Sequence, residues 1–355
     1  PDAFVGRLFE ASVGMFDIMS VYLGDRLGLY RALQDAGGAT AGDLATLARI
    51  DERYAREWLE QQAATAILDV DDVSVPADRR RYSLPGAHAE ALLDPESPYS
   101  IAPLARAAVA CAKTIPPVLD AFRSGGGVDW SAYGADMIES QGDFNRPWLV
   151  GSFGKEILPA IRPIHDRLIA DPPARVADVA CGVGWAAISI ARAYPNVMVD
   201  GFDLDEASID LARANAAGAG VADRVTFAVR DAADPAAAGM YDLAVVIEAI
   251  HDLSRPVHVL AAIKQMLRPD GSALIADERT EDQFTAPASE TERLYYGFSI
   301  FTCLPAAMTE RPTAATGTVM RADTLRAYAT DAGFAGFERL DEPSLDMLRF
   351  YRLTP

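Results

Sequence analysis

The sequence predicts an α/β protein: a C-terminal, mostly parallel sheet flanked by helices, its last strand antiparallel, behind an N-terminal helical domain that ends in a small wing. Three observations carry that prediction. The first is Asp178-Val-Ala-Cys-Gly-Val-Gly184, which lies between a short apolar run (175–180) and an apolar helical stretch (185–194). It therefore reads as strand, glycine turn, helix. The second is a series of strand-like runs that end on acids, 197–203 at Asp203 and 225–231 at Asp231, with a further run at 241–250. The third is the first hundred residues, where helical periodicity gives way to two short strand-like runs around a turn rich in Pro and Asp.

The N-terminal elements follow in order. Residues 11–23 carry Val13, Phe16, Met19 and Leu23 at helical spacing, and Leu27-Gly-Leu-Tyr30 opens another helix. Thr40 with Asp43 three residues later makes a capping-box variant, and Asp51 is placed to cap the helix 52–65. Residues 67–70 and 80–83 complete a wing. A helix-turn-helix with a wing suggests DNA, but the charge opposes it. Residues 1–100 hold nine Arg, no Lys and seventeen acids, a net charge of −8. The would-be recognition helix sets Arg53 and Arg56 against Asp51, Glu52, Glu57 and Glu60, whereas a DNA reader needs a basic face.

The whole chain, 355 residues with 50% apolar side chains, supports two cores. Its net charge of −19 argues against binding nucleic acid or a membrane surface through bulk electrostatics. No run approaches the ~20 apolar residues of a membrane span, and residues 1–4 lack the basic start of a secretion signal. Cys111, Cys181 and Cys303 form no CxxC pair, so reduced thiols, a cytoplasmic location and no metal are expected. The predicted division is 1–98 for the winged domain, 99–174 for a helical connector, and 175–355 for the α/β domain with a lid-like insertion at 281–321.

The glycine turn brings a ligand against bare backbone at a helix N-terminus. With Asp178 ahead of the glycines, Asp203 nineteen residues beyond Gly184, and Asp231 after the next strand, the chain resembles the class I methyltransferases that use S-adenosylmethionine (SAM). Their domain is Rossmann-like. The segment Tyr22-Leu-Gly-Asp-Arg-Leu-Gly-Leu-Tyr30, with Glu57-Trp-Leu59 and Tyr82-Ser-Leu84, resembles the dimerising winged-helix domain of plant-type O-methyltransferases and actinobacterial small-molecule enzymes. The resemblance implies SAM as cofactor and a set of roles. Asp178, Cys181, Gly182 and Gly184 form the methionine loop. Asp203 accepts both ribose hydroxyls and Leu204 packs on adenine. Asp231 and the Ala232 N–H meet the adenine edge, and Glu248 closes the set. Taken singly, Asp203 and Asp231 also read as helix caps or loop acids. Gly182-Val-Gly-Trp-Ala-Ala187 also satisfies a nicotinamide fingerprint, so an oxidoreductase is the rival, as is a SAM-responsive DNA-binding regulator.

Methyl transfer to a hydroxyl needs alignment and a base. Of the four histidines, His251 follows the fourth strand of the sheet in Glu248-Ala-Ile-His-Asp252, at the carboxyl end where ligands bind. It resembles the His-Asp-Trp stretch of the plant-type enzymes, with Leu253 in place of Trp; a structural His within the loop is the alternative. Asp277 is placed to orient the imidazole, with Glu278 as the other candidate. Aromatic residues gather at 130–153 and 294–301, and Phe144, Trp148, Tyr295, Phe298 and Met308 are the expected wall of the acceptor pocket. The resulting expectation is a homodimer, joined through its N-terminal domain, that methylates a small, apolar or aromatic acceptor. Oxygen is the first-choice atom, with nitrogen or carbon open.

Overall fold

The structure, a computed structural model, describes residues 1–234 and 238–355. The chain forms two compact units, residues 1–112 with 139–147, and residues 113–138 with 148–355.

In the first unit the expected helix at 11–23 is the middle of a longer one, Asp2–Arg26. Helices Leu29–Ala36, Ala41–Ala48 and Glu52–Ala64 follow, then the strands β1 (Asp69–Val70) and β2 (Tyr82–Ser83), paired antiparallel. The wing strands are shorter than the segments 67–70 and 80–83 that announced them. Both expected caps form. Thr40 and Asp43 cap each other's backbone, and Asp51 accepts from the N–H groups of Arg53 and Tyr54. Tyr30, Leu33, Leu44, Leu59 and Tyr82 make the core. The long helix enters it at Gly24, where a Cβ would lie 2.4 Å from the Tyr30 ring and 2.6 Å from that of Trp58. Arg106 is buried between Asp25 (3.2 Å) and Asp143 (2.9 Å), which ties 139–147 into this unit. On the would-be recognition helix, Arg53 pairs with Glu57, and Glu60 holds Arg80 at 3.0 Å. The acids there neutralise the basic groups that a phosphate backbone would need.

The second unit is built on a seven-stranded sheet. Its strands are β3 (Arg175–Val179), β4 (Met198–Asp203), β5 (Val225–Val229), β6 (Tyr241–Ile247), β7 (Leu267–Glu278), β8 (Gly336–Leu340) and β9 (Leu348–Thr354). They lie in the order β5-β4-β3-β6-β7-β9-β8. The first five run parallel, while β9 is antiparallel to both neighbours and slots between β7 and β8. The closing antiparallel pair is thus as expected. The order reverses between β3 and β6, the switch point that opens a crevice at the carboxyl ends of the strands. β3 is buried on both faces, as a central parallel strand must be, which explains why its side chains are mostly apolar.

One local expectation changes. Residues 267–272 read as a turn before a strand, but β7 already begins at Leu267. Tyr241 pairs with Leu267 and Leu243 with Ser272, so 268–271 form an irregular excursion inside one interrupted strand. A widened helix, Leu149–Ile157, begins two residues after Pro147, whose missing N–H loosens the preceding turn. Gly154 lets it press on helix Trp185–Ala193: a Cβ there would lie 2.6 Å from the Ser189 carbonyl. That packing holds the helix which opens at the glycine turn.

Candidate active site

The turn after β3 is shaped by its glycines and by two carboxylates. Ala180, Gly182 and Gly184 all have positive φ, at 56°, 50° and 83°. Gly184 is needed twice over, since a Cβ there would lie 2.5 Å from the Phe227 ring, whereas beside Gly182 there is open space. The Gly182 N–H donates to Asp203 Oδ2 at 2.8 Å, and Asp203 Oδ1 accepts from the Asp205 N–H at 2.9 Å. The carboxylate that ends β4 therefore holds the turn that ends β3. Beneath it Asp178, fully buried, accepts from the Ala187 N–H at 3.0 Å. Burial raises its pKa to about 7, opposed by that N–H and reinforced by Asp203. Burial likewise raises Asp203, against the hydrogen bonds from Asp205 and Gly182.

Around this turn the other expected cofactor residues take separate positions. Cys181 donates its N–H to the Phe202 carbonyl, and burial raises its thiol pKa. Leu204 is 65% exposed, beside Asp203 at the mouth. Asp231 and Ala232 begin the loop after β5. Asp231 is exposed and accepts from the Ala233 N–H, and it lines an open cavity of ≈ 410 Å³ with Arg255 and His258. Neither Asp203 nor Gly182 lines that cavity. Asp205 caps helix Glu206–Gly218 by accepting from the Ser208 N–H.

At the ends of β6 and β7 lies a second cluster. Glu248, just past β6, has a positive φ of 48°, a strained value for a side chain with a Cβ, and the chain then bends into the short turn Ile250–Asp252. That bend delivers His251 into the interior at 2% exposure. Its Nδ1 lies 2.9 Å from Asp277 Oδ1 and 3.0 Å from Glu278 Oε2, and its Nε2 lies 3.3 Å from Asp252 Oδ1. Burial works against the imidazolium, but Glu278, Asp277 and Asp252 outweigh it and hold the His251 pKa well above the ordinary value. Burial raises Asp252 and Glu278, each partly relieved by His251. The Cys303 thiol, raised by burial, completes the cluster beside Asp252 and His251.

Asp277 and Glu278, the two candidates for orienting the imidazole, both lie beside its Nδ1, and Asp277 makes the hydrogen bond. Alternation along a strand puts consecutive residues on opposite faces. Only the end of β7, where the chain leaves the sheet, lets both carboxylates turn to one ring. Asp252 and Cys303 had been passed over as site residues. The signal for Asp252 was its place next to His251; for Cys303 there was none, since it comes from the insertion 281–321.

That insertion is a helix Glu290–Phe298, a wide turn Ser299–Cys303 and a short helix Leu304–Ala307. It is fastened to the His251 loop by two hydrogen bonds, one from the Gly317 N–H to the His251 carbonyl (3.1 Å) and one from the Ser254 hydroxyl to the Ala307 carbonyl (2.8 Å). Tyr295 is buried and donates to the Met347 carbonyl, while Phe298 and Met308 are half-buried. Trp148 is half-buried and stands edge-on to Phe153 and Phe350, at 5.6 Å and 6.4 Å. Phe144, also half-buried, belongs to the first unit.

Comparison with known proteins agrees with this architecture. Residues 170–325 match the model of a methyltransferase domain, and residues 14–93 that of an Rv2258c-like winged helix-turn-helix domain. The C-methyltransferase UbiE of ubiquinone and menaquinone biosynthesis from Geobacter sulfurreducens is 30% identical over 133 residues, 37% of this chain and 50% of that one. The polyketide synthase ThaQ of Burkholderia thailandensis is 29% identical over 103 residues, 29% of this chain and 5% of that one. The chain thus spans half or less of the curated relatives it matches. Among solved structures, human N-acetylserotonin methyltransferase in complex with SAM superposes with a TM-score of 0.71 at 16% identity, covering 100% of this chain and 98% of that one. The mitomycin 7-O-methyltransferase MmcR gives 0.70 at 18%, with the same coverage. An O-methyltransferase family protein from Burkholderia thailandensis gives 0.69 at 16%, covering 99% and 97%. At such identities the likeness is one of fold.

Proposed function

We propose, from the premise that this chain joins a winged helix-turn-helix domain to a methyltransferase domain, that it transfers the methyl group of SAM to a small, apolar or aromatic acceptor. The acceptor atom is a hydroxyl oxygen. The observation that carries the cofactor assignment is the turn after β3, where Gly182 leaves room for a ligand and hangs from Asp203 by a 2.8 Å hydrogen bond. A turn that presents bare backbone beside a carboxylate fits the methionine and ribose of SAM. Each Asp203 oxygen accepts one backbone N–H and keeps a lone pair for a ribose hydroxyl. Asp178 supports the turn from below, and Leu204, Asp231, Ala232 and Glu248 complete the adenosine end.

When bound, SAM supplies a methyl group already activated by a sulfonium centre. The chain's own work is alignment and proton removal. His251 takes the acceptor's proton on Nε2. Asp277 and Glu278, within 3.0 Å of Nδ1, fix the tautomer and stabilise the imidazolium that forms. Trp148, Tyr295, Phe298 and Met308 supply apolar and aromatic surface for the acceptor.

Isothermal titration with S-adenosylhomocysteine, NAD and NADP tests the cofactor assignment. Micromolar or tighter binding of the homocysteine product, with no heat from either dinucleotide, is the expected result. Dinucleotide binding without the product would turn the assignment to an oxidoreductase.

The working form is a homodimer. Phe4, Phe9 and Phe16 on helix Asp2–Arg26 are 58%, 70% and 61% exposed, and Leu8, Val13 and Leu23 are exposed with them. An apolar strip of that size on one helix marks an interaction surface, and the acidic charge of this domain leaves a second copy as the partner rather than DNA. Sedimentation velocity of the native chain should give a dimer, and Phe9→Asp with Phe16→Asp a folded monomer. A native monomer at micromolar concentration would rule the dimer out.

A further inference from the structure

Two apolar faces stay exposed in the single chain, one on each unit. The first is on helix Asp2–Arg26, where every residue from 1 to 13 is exposed and core contacts begin only at Ile18 and Val21. A free helical arm of that length, roughly 20 Å, is marginal in water until another surface covers its apolar side. Its apolar residues form two adjoining rows, Phe4, Leu8 and Met15 and, a step round the helix, Val5, Phe9 and Phe16. Two rows span a wider arc than the single seam of a helix pair, so a second copy of the same helix covers one row and leaves the other. The second face is on helix Ile115–Ser124 of the other unit, which buries Val118 and leaves Ile115, Leu119 and Phe122 exposed. Their i, i+4, i+7 spacing puts them on one side of that helix. The loop behind it is clamped to the insertion 281–321. A Cβ on Gly127 would stand 2.4 Å from the Thr309 nitrogen, the Val128 N–H donates to the Pro305 carbonyl (3.0 Å), and the Tyr133 hydroxyl donates to the Phe301 carbonyl (2.8 Å). A body resting on helix Ile115–Ser124 therefore bears on the segment that sets Cys303 beside His251.

We propose that the arm of each copy lies on helix Ile115–Ser124 of a second copy of this chain, and so braces the insertion over the second copy's His251. This rests on the homodimer proposed above and names the surface that receives its apolar helix. In a twofold dimer the contact occurs twice, once for each arm. The apolar side chains of the two faces leave roughly 1,000 Å² exposed per copy, against the about 800 Å² that each partner buries in a stable interface. A lipid surface also takes up apolar helices, but those helices carry a polar side rich in Lys and Arg. The polar side of this arm sets Arg7 among Glu10 and Asp17, in a chain of net charge −19, which favours a protein face over an anionic membrane.

Sedimentation velocity of the full chain tests this with two double variants, Phe9→Asp with Phe16→Asp in the arm and Leu119→Asp with Phe122→Asp on the receiving helix. All four positions are exposed, and circular dichroism checks that both variants keep the native fold. Each variant alone should dimerise at least about a hundredfold more weakly than the native chain. Mixed in equal amounts, they should recover a dimer at least about tenfold tighter than either alone, because the intact arm of one chain meets the intact helix of the other. Amide hydrogen exchange over 299–309 should be faster in each variant than in the native dimer. The proposal is overturned if the Leu119→Asp, Phe122→Asp chain dimerises like the native one, if mixing recovers nothing, or if exchange over 299–309 is the same in monomer and dimer. Loss of the dimer in the arm variant alone leaves the homodimer standing and removes helix Ile115–Ser124 from it. A native monomer removes both, and its sedimentation with phosphatidylglycerol vesicles would assign the arm to a membrane.

Discussion

His251→Ala lowers turnover by about 10²–10⁴-fold, the usual contribution of a general base, and leaves the affinity for S-adenosylhomocysteine within about twofold. The ring touches three carboxylates and no part of the turn after β3, so its loss removes proton transfer and spares the cofactor. The pH profile distinguishes a base from a structural histidine. Glu278, Asp277 and Asp252 raise the imidazole pKa against its burial, so the base form appears only as pH rises above the usual histidine range. Turnover should therefore climb with pH through that raised value. In Glu278→Gln, with one stabilising carboxylate gone, the climb should move to lower pH. A flat profile, or normal turnover in the alanine variant, would mean that alignment alone drives the reaction.

The same shifts bear on stability. His251, Asp252 and Glu278 all have folded-state pKa values above their unfolded ones. The native state therefore binds more protons than the unfolded chain, and stability from this cluster is lost as pH rises through those values.

The second large effect is at Asp203. Asp203→Ala should weaken S-adenosylhomocysteine binding by about 10²-fold, because it removes two acceptors for ribose hydroxyls. Hydrogen bonds to a charged group contribute about 1.5–3 kcal/mol each. It also releases the Gly182 N–H, so part of the loss comes from a turn no longer held in its binding shape. Asp203→Asn separates the two contributions, since its amide oxygen still accepts from Gly182 while the ribose loses a charged partner. Titration calorimetry reads the affinities, and thermal melting shows whether each variant remains folded. Unchanged affinity in the alanine variant would remove Asp203 from the cofactor site.

Much of this was legible in the linear order of residues. Asp178, the paired glycines and Asp203 belong to one strand-turn-helix-strand unit whose geometry is local, so spacing alone brings the carboxylate to the turn. Capping at Thr40 and Asp51 was legible for the same reason: a side chain and the N–H it accepts from lie two or three residues apart. The wing was overestimated in length because only two residues of each segment pair across it. The start of β7 was misplaced because a Pro-Asp-Gly turn inside a strand looks like the end of one.

What the sequence by itself determined is the parallel sheet, the glycine turn and its acids, and an N-terminal domain of net negative charge. What only the tertiary structure decided is the surroundings of His251. Asp252, Asp277, Glu278 and Cys303 come from a bend, a strand end and a distant insertion, up to 52 residues from the ring they surround. Consecutive residues of a strand face apart until the sheet ends, and a contact between separate elements leaves no period in the sequence. The cluster around the ring forms only when those elements close on one another.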